Sequence, residues 1–253
     1  AEGVTLNDIE GLAEARPLLQ GAAQGCAVSS DAPHESRALA ELAIACTYLD
    51  DQAAAALERA QAYLAAADDA LARAYVARAE GIYLLEQGHH DEAAAQLRQA
   101  GEGFIACHRH GEAALCWWWL ALARRFSAVD EALGWLDKAA AVPAPDASRV
   151  HQARCDYGRA LLYQEMDRYA ESLVLLDGAG RLAEGAGQAF LAASCHQSRG
   201  IGLYHLDEYA PALAAYERAQ TAFAALGAGR YVTLTQFNVA AVLYMLNRYA
   251  DAL

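Results

Sequence analysis

The 253-residue sequence predicts an all-α protein built from repeated helix pairs. Three observations support this fold class. The hydrophobic fraction of 56% comes largely from alanine, the best helix former, and only five prolines interrupt the chain. A small, large, small residue pattern returns about every 40 residues, and a second set of small or apolar residues returns with the same period. Two sets that share one period define a two-helix unit.

The first pattern marks the second helix of each unit. It is a small residue, a Leu or Tyr four positions later and an Ala three positions after that, a spacing that places all three on one helical face. Successive copies begin at positions 53, 93, 132, 172 and 212, and a sixth copy begins at Ala252. The five complete copies are Ala53/Leu57/Ala60, Ala93/Leu97/Ala100, Ala132/Leu136/Ala139, Ser172/Leu176/Ala179 and Ala212/Tyr216/Ala219.

The second set marks the first helix of each unit and lies at a constant offset before the small residue of each copy. Glycine inside a helix costs roughly 1 kcal/mol relative to alanine. Gly81 and Gly200 therefore predict that the partner helix lies close to the backbone at these positions. The members of this set are Gly81, Leu120, Ala160, Gly200 and Ala240.

The two sets place the helices along the chain. Helix pairs are predicted near residues 34–66, 70–109, 112–142, 146–184 and 188–226, with a single helix near 230–246. The stretch TLNDIEGLAEARPLLQGAAQG is expected to be the second helix of an earlier unit. The segment VPAPD at 142–146 is predicted to be a turn, because proline disfavours helix on both sides. The glycines of LGAGRY at 226–231 are predicted to end a helix.

The segment SRGIGLYHLDEYAPALAAYERA resembles the tetratricopeptide repeat (TPR) family, with Gly200, Tyr209, Ala212, Tyr216 and Ala219 at the family's characteristic slots. The resemblance covers roughly residues 35 to 253. The period of about 40 is longer than the family's usual unit and is similar to the repeats of kinesin light chains, MalT-like regulators and CHAT-protease-associated TPR proteins. HEAT and armadillo arrays have a compatible period but do not require the small, large, small residue pattern.

The resemblance implies an α-solenoid, a right-handed superhelix of antiparallel helix hairpins. Residues 1–253 would form one such solenoid of about six repeats. Both ends of the sequence fall inside a unit, whereas solenoid ends normally carry a polar capping helix. We therefore expect the chain to be part of a longer protein, or its end to be covered by a partner chain.

Composition excludes several function classes. A net charge of −13 opposes the basic face that nucleic-acid backbones require, so no direct nucleic-acid partner is expected. The apolar runs are far shorter than the ~20 residues that cross a bilayer, and the start AEGVTLNDIE lacks the features of a signal peptide. Six irregularly spaced cysteines without a CxxC pair suggest reduced, buried thiols. We expect a cytoplasmic protein with no membrane partner.

No residue pattern predicts catalysis, a cofactor or a metal. The neighbours Cys195 and His196 point about 100° apart around a helix, as do Cys107 and His108, which does not suit a thiolate beside its base. His89, His90 and Asp91 open a helix whose far end, with Cys107 and His110, is roughly 25 Å away, too far for one metal site. No phosphate-binding loop is present. The sequence predicts a binding protein and not an enzyme.

The resemblance also implies which side chains line the concave groove, because in this family the first helices point fixed slots inward. The set is rich in Arg and aromatic residues, which anchor many protein contacts. Asn238 is the only good match to the Lys/Asn set that clamps a C-terminal carboxylate in some members. The predicted groove residues are Arg78, Trp117, Trp118, Arg124, Arg125, Arg154, Tyr157, Gln164, Gln197, Tyr204, Phe237 and Asn238.

Two alternatives stay open for these residues. The run Trp117 to Trp119 spans about 200° of helix circumference, so at least one indole is expected in the groove or on its rim, unless packing between repeats buries all three. The arginines at 78, 124, 125 and 154 come from three successive units. They form a positive strip that selects an acidic segment, or each pairs with a nearby Glu or Asp.

The predicted function is a scaffold that binds a peptide or protein segment in the concave groove. The alternative is a sensor or regulatory segment of a larger MalT-like or CHAT-protease-linked protein, in which the groove takes a small ligand or a partner domain. A DNA-binding, NTPase or protease sequence beyond either end would favour the alternative.

Overall fold

A computed structural model of the protein describes residues 12–29, 32–49, 53–64, 69–141 and 149–248. Within these ranges the chain forms twelve α-helices and no strand, which confirms the predicted all-α class. The helices are α1 Leu12–Ser29, α2 Ala32–Leu49, α3 Ala53–Leu64, α4 Ala70–Glu86, α5 His90–Ala106, α6 His110–Arg124, α7 Val129–Ala140, α8 Arg149–Glu165, α9 Tyr169–Gly185, α10 Ala189–His205, α11 Tyr209–Ala225 and α12 Gly229–Met245.

The helices group into two compact units, Ala1–Pro145 and Asp146–Leu253. In the first unit α1 packs against α2, and the hairpins α2/α3, α4/α5 and α6/α7 follow. In the second unit the hairpins α8/α9 and α10/α11 are followed by α12, which packs on α11. These pairs fall where the sequence predicts them. The single solenoid over residues 1–253 stays a prediction.

The small, large, small stripe forms the contact surface of every second helix. All fifteen residues of the five complete copies are buried, with the large residue of each copy between 0% and 5% exposed. The copy that begins at Ala252 lies outside the described residues. Burial of one apolar stripe per helix is the main force that holds each hairpin together, since it removes apolar surface from water.

Glycines in the first helices allow the two helices of a hairpin to approach closely. A Cβ added at Gly81 would lie 2.7 Å from Leu97 Cγ, and one added at Gly200 would lie 2.6 Å from Tyr216 Cε1. Real Cβ atoms do not approach other atoms so closely, so the space that glycine leaves is filled by the partner side chain. The predicted close approach is confirmed at both positions.

The turns of the second unit recur at even intervals along the chain, with a left-handed residue in each. Asp167, Gly187, Asp207, Gly227 and Asn247 have φ between 57° and 69°. The amide that follows each of them donates to a carbonyl of the preceding helix, for example Arg168 N to Tyr163 O at 2.8 Å, which is the Schellman arrangement that ends helices. The predicted glycine cap in LGAGRY is confirmed at Gly227, whereas VPAPD lies outside the described residues.

The second unit has two apolar clusters, one on each side of α10. The first joins α8, α9 and α10 through residues such as Ala160, Leu176 and Cys195. The second joins α10, α11 and α12 through residues such as Leu203, Tyr216 and Val242. Within this unit, α10 thus packs on α9 before it as well as on its own partner α11. This packing fixes which faces of α8, α10 and α12 remain available for contacts.

Candidate functional site

The predicted groove residues of the first unit are largely part of its interior. Arg78 is 4% exposed, Trp117 4% and Trp118 7%. Arg124 and Arg125 are half-buried. Side chains with so little exposure contribute to packing, and they offer a ligand little surface.

Arg78 of α4 forms a buried ion pair with Glu41 of α2. Its guanidinium carbon also lies 5.2 Å from the centre of the Tyr75 ring and 5.6 Å from that of Phe104, within cation–π range. Burial by itself lowers the pKa of Arg78, but Glu41, together with Cys116, Tyr75 and Glu112, outweighs this effect and holds the pKa above its usual value. Arg78 therefore pairs locally, one of the two alternatives that the sequence leaves open.

The tryptophan run fills space between helices. A Cβ added at Gly101 of α5 would lie 2.6 Å from Trp117 Nε1, so the indole occupies the place that this glycine leaves. Lys138 of α7 lies over the same indole, with its Nζ 4.1 Å from the ring centre. Trp118 is buried and stands edge-on to the half-buried Trp119, with ring centres 4.6 Å apart. Trp117 and Trp118 are buried, as the packing alternative requires, whereas Trp119 stays half-buried.

Arg124 and Arg125 also interact within the first unit. Arg124 Nη1 lies 2.6 Å from Asp91 Oδ1, and its Nε lies 3.3 Å from Glu131 Oε2. Hydrogen bonds from Trp135 and from Arg124 lower the pKa of Glu131. The Arg125 guanidinium stacks on the Phe126 ring, 4.2 Å from its centre. Arg124, like Arg78, therefore pairs with local carboxylates.

The predicted residues of α8 form a stripe that remains accessible in part. Arg154, Tyr157 and Gln164 fall within about 80° of helix circumference, so they share one face of α8. All three are half-buried. Tyr157 packs against the cluster between α8, α9 and α10, and Arg154 Nη2 lies 3.5 Å from Gln188 Oε1. Each side chain is thus held on one side and exposed on the other.

The stripe on α8 is joined to α10 by a hydrogen bond. Gln164 Nε2 donates to Ser198 O at 2.8 Å. On α10, Gln197 is 8% exposed and Tyr204 is half-buried. Tyr204 packs on the cluster between α10, α11 and α12, with its ring centre 5.7 Å from that of Tyr209. The hydrogen bond from the Gln164 amide thus holds α8 and α10 together at this point.

The face of α12 is the most exposed part of the predicted set. Phe237 is 73% exposed, and Asn238 beside it is half-buried. We call the predicted residues of this unit the first-helix surface, because all of them lie on the first helices α8, α10 and α12. It consists of Arg154, Tyr157, Gln164, Gln197, Tyr204, Phe237 and Asn238.

The two buried cysteines that lie beside histidines do not have the properties of nucleophiles. All six cysteines of the chain are free thiols. Burial raises the pKa of Cys195 to about 12, so the thiol beside His196 stays protonated at neutral pH. His196 Nε2 instead lies 3.2 Å from Glu184 Oε1. Cys155 lies 3.8 Å from His151 Nε2, a pair that the sequence analysis did not single out, but burial raises the pKa of this thiol to about 11.

The two adjacent histidines at the start of α5 make separate contacts. His89 Nδ1 lies 3.6 Å from Glu92 Oε1, and the His90 ring stands edge-on to Phe126. Across the described ranges, no group of three His, Cys, Asp or Glu side chains is placed to hold a metal ion. In the same ranges, no helix combines the length and apolar character needed to span a bilayer.

One cluster was missed by the sequence analysis. Arg181 of α9, Arg199 of α10 and Arg218 of α11 line a single cleft of the second unit. Their positions in the sequence carry a weak signal, because Arg218 occupies the slot of its repeat that Lys138 occupies two repeats earlier. The convergence depends on three helices and could not be found from spacing within one helix.

The sequence matches no protein-family model, and it matches no curated protein. Solved structures do share its fold. A Rap protein complexed with competence and sporulation factor superimposes with a TM-score of 0.74 at 15% identity, covering 87% of this chain and 61% of that one. NprR in complex with its cognate peptide NprX gives a TM-score of 0.61 at 15% identity, covering 80% of this chain and 58% of that one.

A third similar structure is a signal transduction ATPase from Pyrococcus horikoshii that carries a tetratricopeptide repeat sensor. Its TM-score is 0.60 at 16% identity, and the match covers 88% of this chain but 35% of that one. The fold is that of TPR-like helical repeat proteins. The chain spans about three fifths of the length of the Rap protein and NprR chains that it matches.

Proposed function

We propose that the protein is a peptide-binding module, and that the first-helix surface of its second unit contacts a peptide or protein segment. The observation that carries this proposal is the contrast between the two units. At one slot of the first helices the first unit holds the buried side chains Arg78 and Trp117. The second unit holds the half-buried Tyr157 and the exposed Phe237 at that slot, together with Gln197, which is 8% exposed.

The chemistry of the first-helix surface suits an extended peptide. Aromatic rings supply apolar contact at low entropic cost, and the amides of Gln164, Gln197 and Asn238 supply donors and acceptors for a peptide backbone. Two of the structures with this fold are complexes, one with competence and sporulation factor and one with the peptide NprX. The NprX complex supports a peptide as the partner class, and the Rap complex shows that a structure of this fold binds a separate factor.

The partner is proposed to carry an acidic group opposite Arg154. The contact of this guanidinium with Gln188 is to a neutral amide, and a carboxylate in the same place would make a stronger, charge-assisted hydrogen bond. Arg78 and Arg124 do not support an acidic partner, because both already pair with carboxylates.

We also propose that the repeats belong to the long TPR type and that the module acts in the cytoplasm, where the six free thiols stay reduced. A second candidate function is a sensor segment of a larger signalling protein. The structural similarity to the ATPase that carries a tetratricopeptide repeat sensor favours it. The match covers about one third of that ATPase chain.

Selection from a random-peptide display library tests the proposed function. Enriched peptides would be labelled and their dissociation constants measured by fluorescence anisotropy, for the unaltered protein and for Tyr157→Ala and Phe237→Ala. Each substitution is expected to weaken binding at least tenfold, the cost of removing an aromatic anchor of about 1.4 kcal/mol or more. Val174→Ala, on the exposed face of the second helix α9, is the control and should leave the affinity unchanged.

A small-ligand sensor gives a different result in the same experiment. No peptide would be enriched, or the enriched peptides would bind equally well to all three variants. Either outcome would contradict peptide binding by the first-helix surface.

A further inference from the structure

We propose that the cleft between α9 and α11 binds the phosphate group of a small molecule. The cleft has a volume of about 290 Å³ and is lined by side chains of α9, α10 and α11. This size suits a small ligand, since ligand pockets begin at roughly 300 Å³. The proposal does not rest on peptide binding, because the cleft uses a different set of residues from the first-helix surface.

Three arginines from three different helices meet in the cleft. Arg181 lies on α9, Arg199 on α10 and Arg218 on α11, and two carboxylates, Asp177 and Glu184, lie in the same lining. Three guanidiniums against two carboxylates leave the cleft with a positive balance inside a protein whose net charge is −13. A local excess of positive charge in such a chain is expected to attract an anion.

Both carboxylates of the cleft already have partners. Asp177 Oδ1 lies 3.0 Å from Arg199 Nε, and Glu184 Oε1 lies 3.2 Å from His196 Nε2. Asp177 is therefore engaged by Arg199, and one oxygen of Glu184 is in contact with His196.

Within the described part of the chain, the guanidiniums of the cleft that remain without a carboxylate partner are those of Arg181 and Arg218. Arg181 and Arg218 make no hydrogen bond or ion pair with any other residue that the structure describes. Arg199 Nε is shielded from solvent and lies 3.0 Å from Asp177 Oδ1, so this guanidinium is already engaged by a carboxylate. An anion in the cleft would give Arg181 and Arg218 the acceptors that the described residues do not provide.

Two small residues, Gly180 and Cys195, are part of the cleft lining. A Cβ added at Gly180 would lie 3.6 Å from Cys195 Cβ, an ordinary contact distance. In the first unit the corresponding glycine two repeats earlier, Gly101, is instead covered by the indole of Trp117. The corresponding space of that unit is thus filled by an aromatic ring, and in the second unit it is left for a ligand.

Phosphate is the anion that this geometry favours. Guanidinium groups bind phosphate through paired hydrogen bonds, and the phosphate oxygens can accept from donors that approach from several directions. A carboxylate has two oxygens in one plane and suits fewer of these donors. The source of the phosphate is either the free ion or a phosphomonoester, and both share this chemistry.

Calorimetric titration tests the proposal with inorganic phosphate, glycerol 3-phosphate and malonate, all at the same ionic strength so that screening is constant. We expect saturable binding of phosphate or of glycerol 3-phosphate, with malonate at least tenfold weaker. Tighter binding of inorganic phosphate would assign the site to the free ion, and tighter binding of glycerol 3-phosphate would assign it to a phosphomonoester.

Variants locate the binding. The double substitution Arg181→Ala with Arg218→Ala is expected to weaken phosphate binding at least tenfold, whereas Arg230→Ala, which removes an exposed arginine of α12, should have no effect. Gly180→Leu keeps every charge but places a side chain into the cleft, and it should weaken binding to a similar extent. Circular dichroism would verify that each variant is folded.

Three results would overturn the proposal. These are the absence of saturable binding to the unaltered protein, malonate binding as tight as phosphate, and equal loss of affinity in Arg230→Ala and in the double variant. Because Gly180→Leu and the arginine variants act through different physical effects, agreement between them would exclude a general loss of positive charge as the explanation.

Discussion

Gly200 of α10 lies directly against the ring of Tyr216 on α11, so that a Cβ at position 200 would fall 2.6 Å from Cε1 and 2.7 Å from Cδ1. The ring is buried and cannot move toward solvent without disturbing the cluster between α10, α11 and α12. Gly200→Leu is therefore expected to destabilise the protein by about 1 to 3 kcal/mol through overpacking. The free energy of unfolding from urea denaturation measures this effect.

Gly178→Ala is the matched control for that substitution. Gly178 lies inside α9, and a Cβ there would meet no atom within 4 Å. The alanine should stabilise the protein by about 0.5 to 1 kcal/mol, because it is the better helix former. If Gly200→Leu proved neutral while Gly178→Ala behaved as expected, close packing of this hairpin would be disproved.

The buried pair of Arg78 and Glu41 should show strong coupling. Glu41→Gln leaves a buried guanidinium without its carboxylate and is expected to cost about 3 to 5 kcal/mol. Replacing both partners, by Glu41→Leu with Arg78→Met, should cost much less or even stabilise the protein, because neither charge then needs to be desolvated. A double-mutant cycle in urea measures the coupling. Additive effects of the two sites would show that the ion pair contributes little.

The left-handed turn at Asp207 should tolerate glycine and reject a β-branched residue. Asp207 has φ of 60°, and its carboxylate accepts a hydrogen bond from Tyr209 Oη at 2.5 Å. Asp207→Gly removes that bond but also the strain, so stability should change by less than about 1 kcal/mol. Asp207→Val should cost about 1 to 3 kcal/mol. Equal melting temperatures for the two variants would argue against the left-handed conformation.

Stability should fall in mildly alkaline solution because buried thiols resist ionisation. Burial raises the pKa of Cys116 and of Cys195 to about 12, whereas an unfolded thiol ionises near ~8.5. Above that pH the unfolded state loses protons that the folded state keeps. The stability that the thiols contribute is therefore fully present below pH ~8.5 and is lost progressively as pH rises toward about 12.

Melting temperatures between pH 8 and 10 measure this effect. The range ends near the pH at which an unfolded tyrosine begins to ionise, about 10, where Tyr75, whose pKa burial raises to about 12, starts to add a further contribution. Cys116→Ala and Cys195→Ala should each reduce the slope of melting temperature against pH, whatever their effect on stability at pH 7. The Cys107→Ala variant, at a partly exposed turn position, serves as the control. Unchanged slopes in all three would contradict the shifted pKa values.

The helices, their pairing and the buried stripe could be predicted from the sequence because they depend on local periodicity. The position of Arg78 could not be predicted, since its slot becomes buried only when α2 supplies Glu41, and that contact joins residues 37 positions apart. The burial of the Trp117 indole likewise depends on the space left by Gly101 of another helix. The position of a residue within its repeat predicts which face of the helix it occupies. The neighbouring helices determine how much of that face stays exposed.

Position-specific photo-crosslinking to a selected peptide tests the central claim most directly, that the first helices of the second unit form the binding surface. A benzophenone amino acid would replace Phe237 on α12 or, in a matched variant, Val174 on α9. These two side chains are almost equally exposed, at 73% and 72%. The account predicts that the peptide crosslinks at position 237 and not at position 174. Crosslinking at position 174 with none at position 237 would contradict it.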